Sequence, residues 1–151
     1  MNSTIFQAPA YDPKRERRKR IIIAAIVLVA VIAGALGYHF RNIVYERKVS
    51  QFFTSLQEKN FETAYSIWMA DPDWKQHSER YKRYPFSEFY RDWGPGGEWG
   101  LINTFDVEGS TNSGGSGIVV RVRVNARAQR ADVWVEKRDK TLTFSPYPTI
   151  Q

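Results

Sequence analysis

The sequence predicts an α+β chain: an N-terminal transmembrane helix, then three helices packed on a curved antiparallel sheet of about four strands. Three observations carry the prediction. Ile21 to Gly37 runs for 17 residues without a charge or a strongly polar side chain. Three later segments place apolar, mostly aromatic residues at i, i+3, i+4 and i+7, the spacing of a single helix face. From Trp99 onward the apolar period shortens from 3.6 to 2, the spacing of a half-buried strand. With 151 residues the chain has room for one domain and an appendage.

The span comes first. Tyr38, His39 and Phe40 extend the apolar run to 20 residues, about 30 Å of helix and roughly one hydrocarbon core. Lipid offers the backbone no hydrogen-bond partner, so such a run must be helical. Tyr38 and Phe40 would sit at the far interface, where aromatic rings are favoured. Before the run stand Lys14, Arg15, Arg17, Arg18, Lys19 and Arg20; after it come only Arg41, Arg47 and Lys48. The positive-inside rule therefore makes residues 1–20 a basic cytoplasmic tail and residues 21–40 a span of the cytoplasmic (inner) membrane. Residues 41–151 fall on the periplasmic or extracytoplasmic side. The basic run is also placed to meet anionic lipid headgroups. A cleaved signal peptide is the competing reading, because Ala33-Gly34-Ala35 resembles a cleavage site. A long basic region before the run, and an apolar stretch that continues past Ala35 to Gly37, favour the anchor. Residues 1–13, with Pro9, Pro13 and no periodicity, read as a short disordered tail.

Charge and composition exclude several classes. The net charge is +6, but residues 1–20 carry +4 of it (six basic residues against Asp12 and Glu16). The excess thus flanks the apolar run rather than forming a nucleic-acid surface. The chain has no cysteine, which removes disulfides, thiolate metal sites and cysteine nucleophiles, and two His residues exclude a multi-histidine metal site. No cofactor is expected.

Residues 41–48 read as a stalk and residues 49–151 as the exported domain. The first domain helix covers roughly 42–59, with Val49, Phe52, Phe53 and Leu56 on one face. Asn60 breaks it and can cap the second helix, about 61–70, which aligns Phe61, Ala64, Tyr65 and Trp68 behind an acidic Glu62. Asp71-Pro72-Asp73 stops that helix. Residues 73–84 are charged and carry no clear period. The third helix, 86–93, aligns Phe86, Phe89, Tyr90 and Trp93 between Pro85 and Gly94-Pro95. In the strand region Trp99, Leu101, Phe105 and Val107 are expected on one face, and Gly109 to Gly117 as a flexible connection. Ile118, Val120, Val122, Val124 and Ala126 alternate with Val119, Arg121, Arg123, Asn125 and Arg127. Val133 and Val135 continue the apolar face, and a last strand carries Leu142 and Phe144 before Pro146 and Pro148. A turn bracketed by Arg127 and Arg130 would pair Val124 with Val133 and Val122 with Val135. It would also set Arg123 opposite Trp134 and Arg121 opposite Glu136.

This order, together with the phrase Val49-Ser50-Gln51-Phe52-Phe53-Thr54-Ser55-Leu56-Gln57-Glu58-Lys59-Asn60-Phe61-Glu62-Thr63-Ala64-Tyr65, resembles the nuclear-transport-factor-2-like cone, also called SnoaL-like or cystatin-like. The resemblance covers about residues 45–150. It implies helices packed into the concave side of the sheet. The anchored arrangement is similar to single-span versions of that fold, among them inner-membrane scaffold components of type IV secretion systems and Mce-associated membrane proteins.

Enzymes of that superfamily place Asp, Tyr or His in the cone, and Tyr65, Trp68, Tyr90, Asp92 and Asp106 are the residues here that could point there. None stands in a catalytic motif that can be carried over, and Tyr65 and Tyr90 sit on apolar stripes where core packing explains a tyrosine. Tyr65, Trp68, Tyr90, Trp93 and Trp99 are the candidate cone pocket. Arg121, Arg123, Trp134 and Glu136 are the candidate interface, since Trp and Arg are frequent anchors of protein contacts, with Asp132, Glu136 and Asp139 interleaved to offset the positive charge. The expected function is a membrane-anchored, non-enzymatic scaffold or accessory subunit. It would contact membrane lipid and an envelope protein, or a second copy through the sheet face, and no nucleic acid. A small-molecule or lipid-binding domain using the cone is the alternative, with a SnoaL-like enzyme behind it.

Overall fold

The computed structural model describes residues 13–147, apart from the His39 side chain. The readings of residues 1–12 as a tail, of Pro148 as a strand stop and of His39 as an interfacial side chain lie outside the described residues. The chain divides into two units, residues 1–41 and 42–151.

Among its described residues the first unit contains one helix, α1 (Pro13–Phe40), with proline in its first turn, where a missing N–H costs nothing. Its apolar stretch is exposed throughout; Ile21 and Val29 are 60% and 65% exposed. By length and composition it is long and apolar enough to cross a bilayer, a property that a signal sequence shares. The Arg41 guanidinium lies 4.5 Å from the Tyr38 ring centre.

The second unit is α+β. It runs α2 (Ile43–Gln57), α3 (Phe61–Met69), a single 3-10 turn at Ser78–Tyr81, α4 (Phe86–Trp93), then β1 (Phe105–Thr111), β2 (Gly117–Val124), β3 (Arg130–Glu136) and β4 (Leu142–Phe144). The sheet is an antiparallel meander of order β1-β2-β3-β4. The three helical segments expected from one-sided spacing are present with nearly the expected ends. The stalk is not free-standing: residues 43–48 are the opening turns of α2, where Tyr45 packs on the core and Glu46 accepts a 2.5 Å hydrogen bond from Ser110. Asn60 caps α3 by accepting from the Thr63 N–H at 3.1 Å. That helix ends one residue before the expected stop, at Ala70 in the left-handed conformation, φ 52°.

The helices cover one face of the sheet. Val49, Phe52, Phe53 and Leu56 from α2, Tyr65 and Trp68 from α3, and Phe89 and Trp93 from α4 close over Ile118, Val120, Val122 and Val124 of β2 and Val133 and Val135 of β3. All of these residues are buried. The alternation thus faces as the sequence predicts from Ile118 to Val124 and at Val133 and Val135, whereas Ala126, expected to continue the stripe, is exposed in the turn after β2.

Three strand-level expectations are corrected. First, β1 starts at Phe105, so Trp99 and Leu101 precede the strand; Trp99 is buried, but Leu101 is exposed and the buried residue of that segment is Ile102. Second, β1 runs on to Thr111 through a bulge at Glu108, with Gly109 at φ +142°, so the connection shrinks to residues 112–116. Third, the β2–β3 register is four residues from the predicted one. Val133 pairs with Val120, Val135 with Ile118, Trp134 with Val119, and Arg121 with Asp132. The tight turn sits at Asn125-Ala126, both at positive φ (52° and 54°), with Arg127 N–H bonded to Val124 C=O at 3.0 Å. Two left-handed residues in succession are the signature of a primed hairpin turn, and Asn tolerates that conformation well. Residues 127–129 then arch outward, where Arg127 and Gln129 bond the Glu98 carbonyl and carboxylate at 2.9 and 2.7 Å.

Candidate interaction surfaces

The expected cone pocket divides. Phe52 lies at the centre of an aromatic cluster, with ring centres 5.1 Å from Trp68, 5.1 Å from Trp93 and 6.1 Å from Phe89. Trp68 and Trp93 are 5.4 Å apart, and Trp93 stacks on Phe144 at 5.6 Å with planes 1° apart. These are contact separations for rings, so Tyr65, Trp68 and Trp93 are packing residues here. Tyr65 donates its hydroxyl to the Tyr84 carbonyl at 2.8 Å, and Tyr84 donates to Asp92 Oδ2 at 3.0 Å. Burial first, then the bond to Asp92, pushes the Tyr84 hydroxyl well above the ordinary tyrosine range. Asp92 therefore acts as an acceptor that holds a tyrosine. Tyr90, expected in the pocket, is 44% exposed and rests edge-on against Phe61 at 5.0 Å. The face of α4 that packs inward is centred on Phe89 and Trp93, which leaves Tyr90 at its margin.

One polar atom of this cluster is unusual. The Trp93 indole N–H is buried and has no hydrogen-bond partner among the described residues. An unpaired buried donor costs about 1–3 kcal/mol. Trp93 also lines a recess of about 230 Å³ with Glu98, Trp99, Arg130 and Tyr147. Trp99 carries the Arg127 guanidinium 5.8 Å from its ring centre.

The outer sheet face is built by the other half of the alternation. Arg121 grips Asp132 with two hydrogen bonds, 2.9 and 3.1 Å, and this raises the affinity of its guanidinium for its proton. The bulge at Glu108 aims that carboxylate between Arg123 at 3.0 Å and Arg130 at 2.8 Å. Hydrogen bonding from Arg130 holds Glu108 below the ordinary carboxylate range. Arg123 also reaches Asp106 at 3.2 Å. Asp106, a cone candidate in the sequence, thus stands on the opposite side of the sheet from the core. Glu136 accepts from the Ser116 hydroxyl at 2.6 Å, which lowers its pKa. The interleaved acids neutralise the arginine stripe as the composition suggests, but through Asp106, Glu108 and Asp132 rather than Glu136.

Trp134 does not stand free on this face. Its ring closes over Gly115 and Gly117; a Cβ at Gly115 would come within 2.8 Å of the indole Cη2. Tyr147 lies beside it at 5.8 Å. A shallow depression of about 590 Å³, lined by Glu108, Ser110, Val119, Arg121, Asp132 and Tyr147, runs along this face.

A small polar cluster lies in the stretch without a period. His77 Nδ1 and the Tyr81 hydroxyl both reach Asp71 Oδ2 at 2.7 Å. The Tyr81 bond, then the His77 bond, holds Asp71 below the ordinary carboxylate range, while burial and Asp71 push Tyr81 up to about 12. The cluster fastens the 3-10 turn to the end of α3. No signal at single-residue level marks it, since the partners are six and ten residues apart in a charged stretch.

Among the described residues no group of three or more His, Cys, Asp or Glu is arranged to hold a metal ion. The chain matches no family model, no curated protein and no solved structure, so no relative identifies the domain as nuclear-transport-factor-2-like.

Proposed function

We propose that residues 21–40 anchor the chain in the cytoplasmic membrane, with Lys14 to Arg20 inside and the α+β unit on the extracytoplasmic side. The unit acts there as a non-enzymatic scaffold or accessory subunit on a nuclear-transport-factor-2-like plan. The observation that carries this reading is the filled interior. Where a cone enzyme or carrier needs an opening lined by polar groups, Phe52, Trp68, Phe89 and Trp93 stand in mutual ring contact, and the carboxylate nearest them, Asp92, is committed to Tyr84. The exposed apolar length of α1 supports the anchor, because apolar surface of that extent is unfavourable in water.

Purification of the tagged full-length chain in mild detergent, with mass spectrometry of the companions and a native mass, tests the reading. A stoichiometric envelope protein, or a second copy, is expected. A chain that purifies alone and monomeric contradicts it.

A small-molecule binder is the second reading, and the Trp93 recess is what favours it. A ligand with a carbonyl or carboxylate acceptor would satisfy the indole N–H. A bound small molecule in the native mass spectrum of the full chain would select this reading.

A further inference from the structure

Among the described residues strand β4 ends the sheet, so it is paired there on one side only. The Thr141 carbonyl accepts from Glu136 N–H at 2.9 Å, and Ser145 N–H donates to the Asp132 carbonyl at 3.1 Å. Residues 141, 143 and 145 therefore turn their backbone toward β3. Antiparallel alternation leaves the N–H and C=O of Leu142 and Phe144 pointing to the open edge. An unpaired edge is a template for another strand.

A groove of about 290 Å³ lies along this edge, between β4 and residues 80–84. Trp68, Tyr84, Leu142 and Phe144 make its apolar wall. Phe144 is 50% exposed even though its ring touches Trp68 and Trp93, so a large aromatic surface there is half uncovered. Arg80 and Arg83 line the other wall, and both are exposed. The outer-face arginines 121, 123 and 130 each hold a carboxylate. Arg80 and Arg83 make no ion pair among the described residues, while Lys82 between them is already taken by Glu79.

We infer that the open edge of β4 docks an extended, acidic segment of a partner protein. The segment adds as a fifth strand, seats an apolar side chain against Phe144, and brings carboxylates to Arg80 and Arg83. Main-chain bonds supply the attachment and the groove supplies the selection, the division of labour in strand addition. The charge pattern sets the sign of the partner: two unopposed guanidinium groups beside an apolar wall favour carboxylates flanking an aromatic or aliphatic residue. This rests on the scaffold reading only in taking the partner to be a protein.

The test uses the full chain in lipid nanodiscs and a fluorescein-labelled decapeptide in which Glu alternates with Val around a central Phe. Saturable anisotropy in the micromolar range is expected, with hydrogen-exchange protection gained at the Leu142 and Phe144 amides. Arg80→Glu with Arg83→Glu should weaken binding about tenfold or more, while exchange in β2 and β3 stays unchanged as a check on folding. A peptide with Lys in place of Glu should bind at least about tenfold more weakly, and of two acidic peptides N-methylated at the even or at the odd residues, the one whose methyls face β4 should lose at least about tenfold. Equal binding of the acidic and lysine peptides, or unchanged binding of both N-methylated peptides, overturns the proposal. Peptide exclusion by a dimer that the same arginine pair breaks assigns the edge to a second copy and also overturns it. Peptide failure while an envelope partner still co-purifies refutes the groove alone. Peptide binding by a chain that purifies alone refutes the scaffold reading alone.

Discussion

Asn125 ties the turn after β2 to residues 99–104, and its removal has a calculable cost. Its side chain accepts from the Asn103 and Thr104 N–H groups at 2.8 and 3.2 Å and donates to the Leu101 carbonyl at 2.8 Å and, at the long distance of 3.4 Å, to the Trp99 carbonyl. Its backbone stands at φ 52°, in the first position of the turn. These bonds lie near solvent, so each contributes toward the lower end of the usual range, ~0.5 kcal/mol. The three shorter ones sum to ~1.5 kcal/mol. An alanine forced into the left-handed region adds ~1 kcal/mol. Asn125→Ala should therefore cost ~2.5 kcal/mol, and Asn125→Gly, which relieves the backbone but loses the bonds, ~1.5 kcal/mol. For a domain of this size that is a fall in melting temperature of ~10 °C for alanine and ~6 °C for glycine. Asn125→Asp keeps the acceptor but loses the donations to Leu101 and Trp99 and leaves a carboxylate oxygen beside two carbonyls, so it too is destabilising. The order wild type, Gly, Ala can be read from urea titrations of the full chain in non-ionic detergent, followed by tryptophan fluorescence. An alanine variant within ~0.5 kcal/mol of wild type, or one more stable than the glycine variant, would refute the reasoning.

Further outcomes follow from other positions. A Cβ at Gly97 would run into the Asp92 carbonyl oxygen, whereas one at Gly96 meets nothing within 4 Å; Gly97→Ala should cost ~2 kcal/mol and Gly96→Ala should be neutral in the same titration. Glu108 has a depressed pKa, so its contribution is complete above the ordinary carboxylate range, about 4.3, and is lost as pH falls below it; Glu108→Gln should flatten that part of the acid stability curve. The Tyr84 pKa is raised, so its contribution is complete below about 10 and is lost as pH rises beyond that value; Tyr84→Phe should remove part of the alkaline loss, measured as melting temperature against pH.

The helices were legible because each buries one face, and aromatic residues at i, i+3, i+4 and i+7 record that face locally. The facing of β2 and β3 was legible for the same reason at period 2. Their register was not. A shift of four residues leaves every side chain on its face, so the hydrophobic pattern cannot distinguish the two pairings. The contacts that hold the β2–β3 connection, made by Asn125 and Glu98, span more than 20 positions and leave no local mark. The same holds for the outer face. Alternating acids announced a neutralised arginine stripe, but which acid meets which arginine depends on the register and on a bulge at Glu108. Trp134 reads as an exposed anchor until Gly115 and Gly117 are seen to lie beneath it. Tyr90 shares a helical stripe with Phe86, Phe89 and Trp93, yet only Phe89 and Trp93 of that helix are buried, because the packed face is narrower than the apolar one.

The proposed anchored, two-sided placement of the chain can be measured directly because the sequence contains no cysteine. Single cysteines at Ser113, in the β1–β2 connection, and at Ser3, in the segment before the basic run, can be labelled with a membrane-impermeant maleimide while the cytoplasmic membrane is intact. The account predicts that the Ser113→Cys chain labels at full length in the membrane fraction and that the Ser3→Cys chain labels only after lysis. Protection of the cysteine at 113, or recovery of the domain as a soluble product lacking residues 1–35, would contradict it.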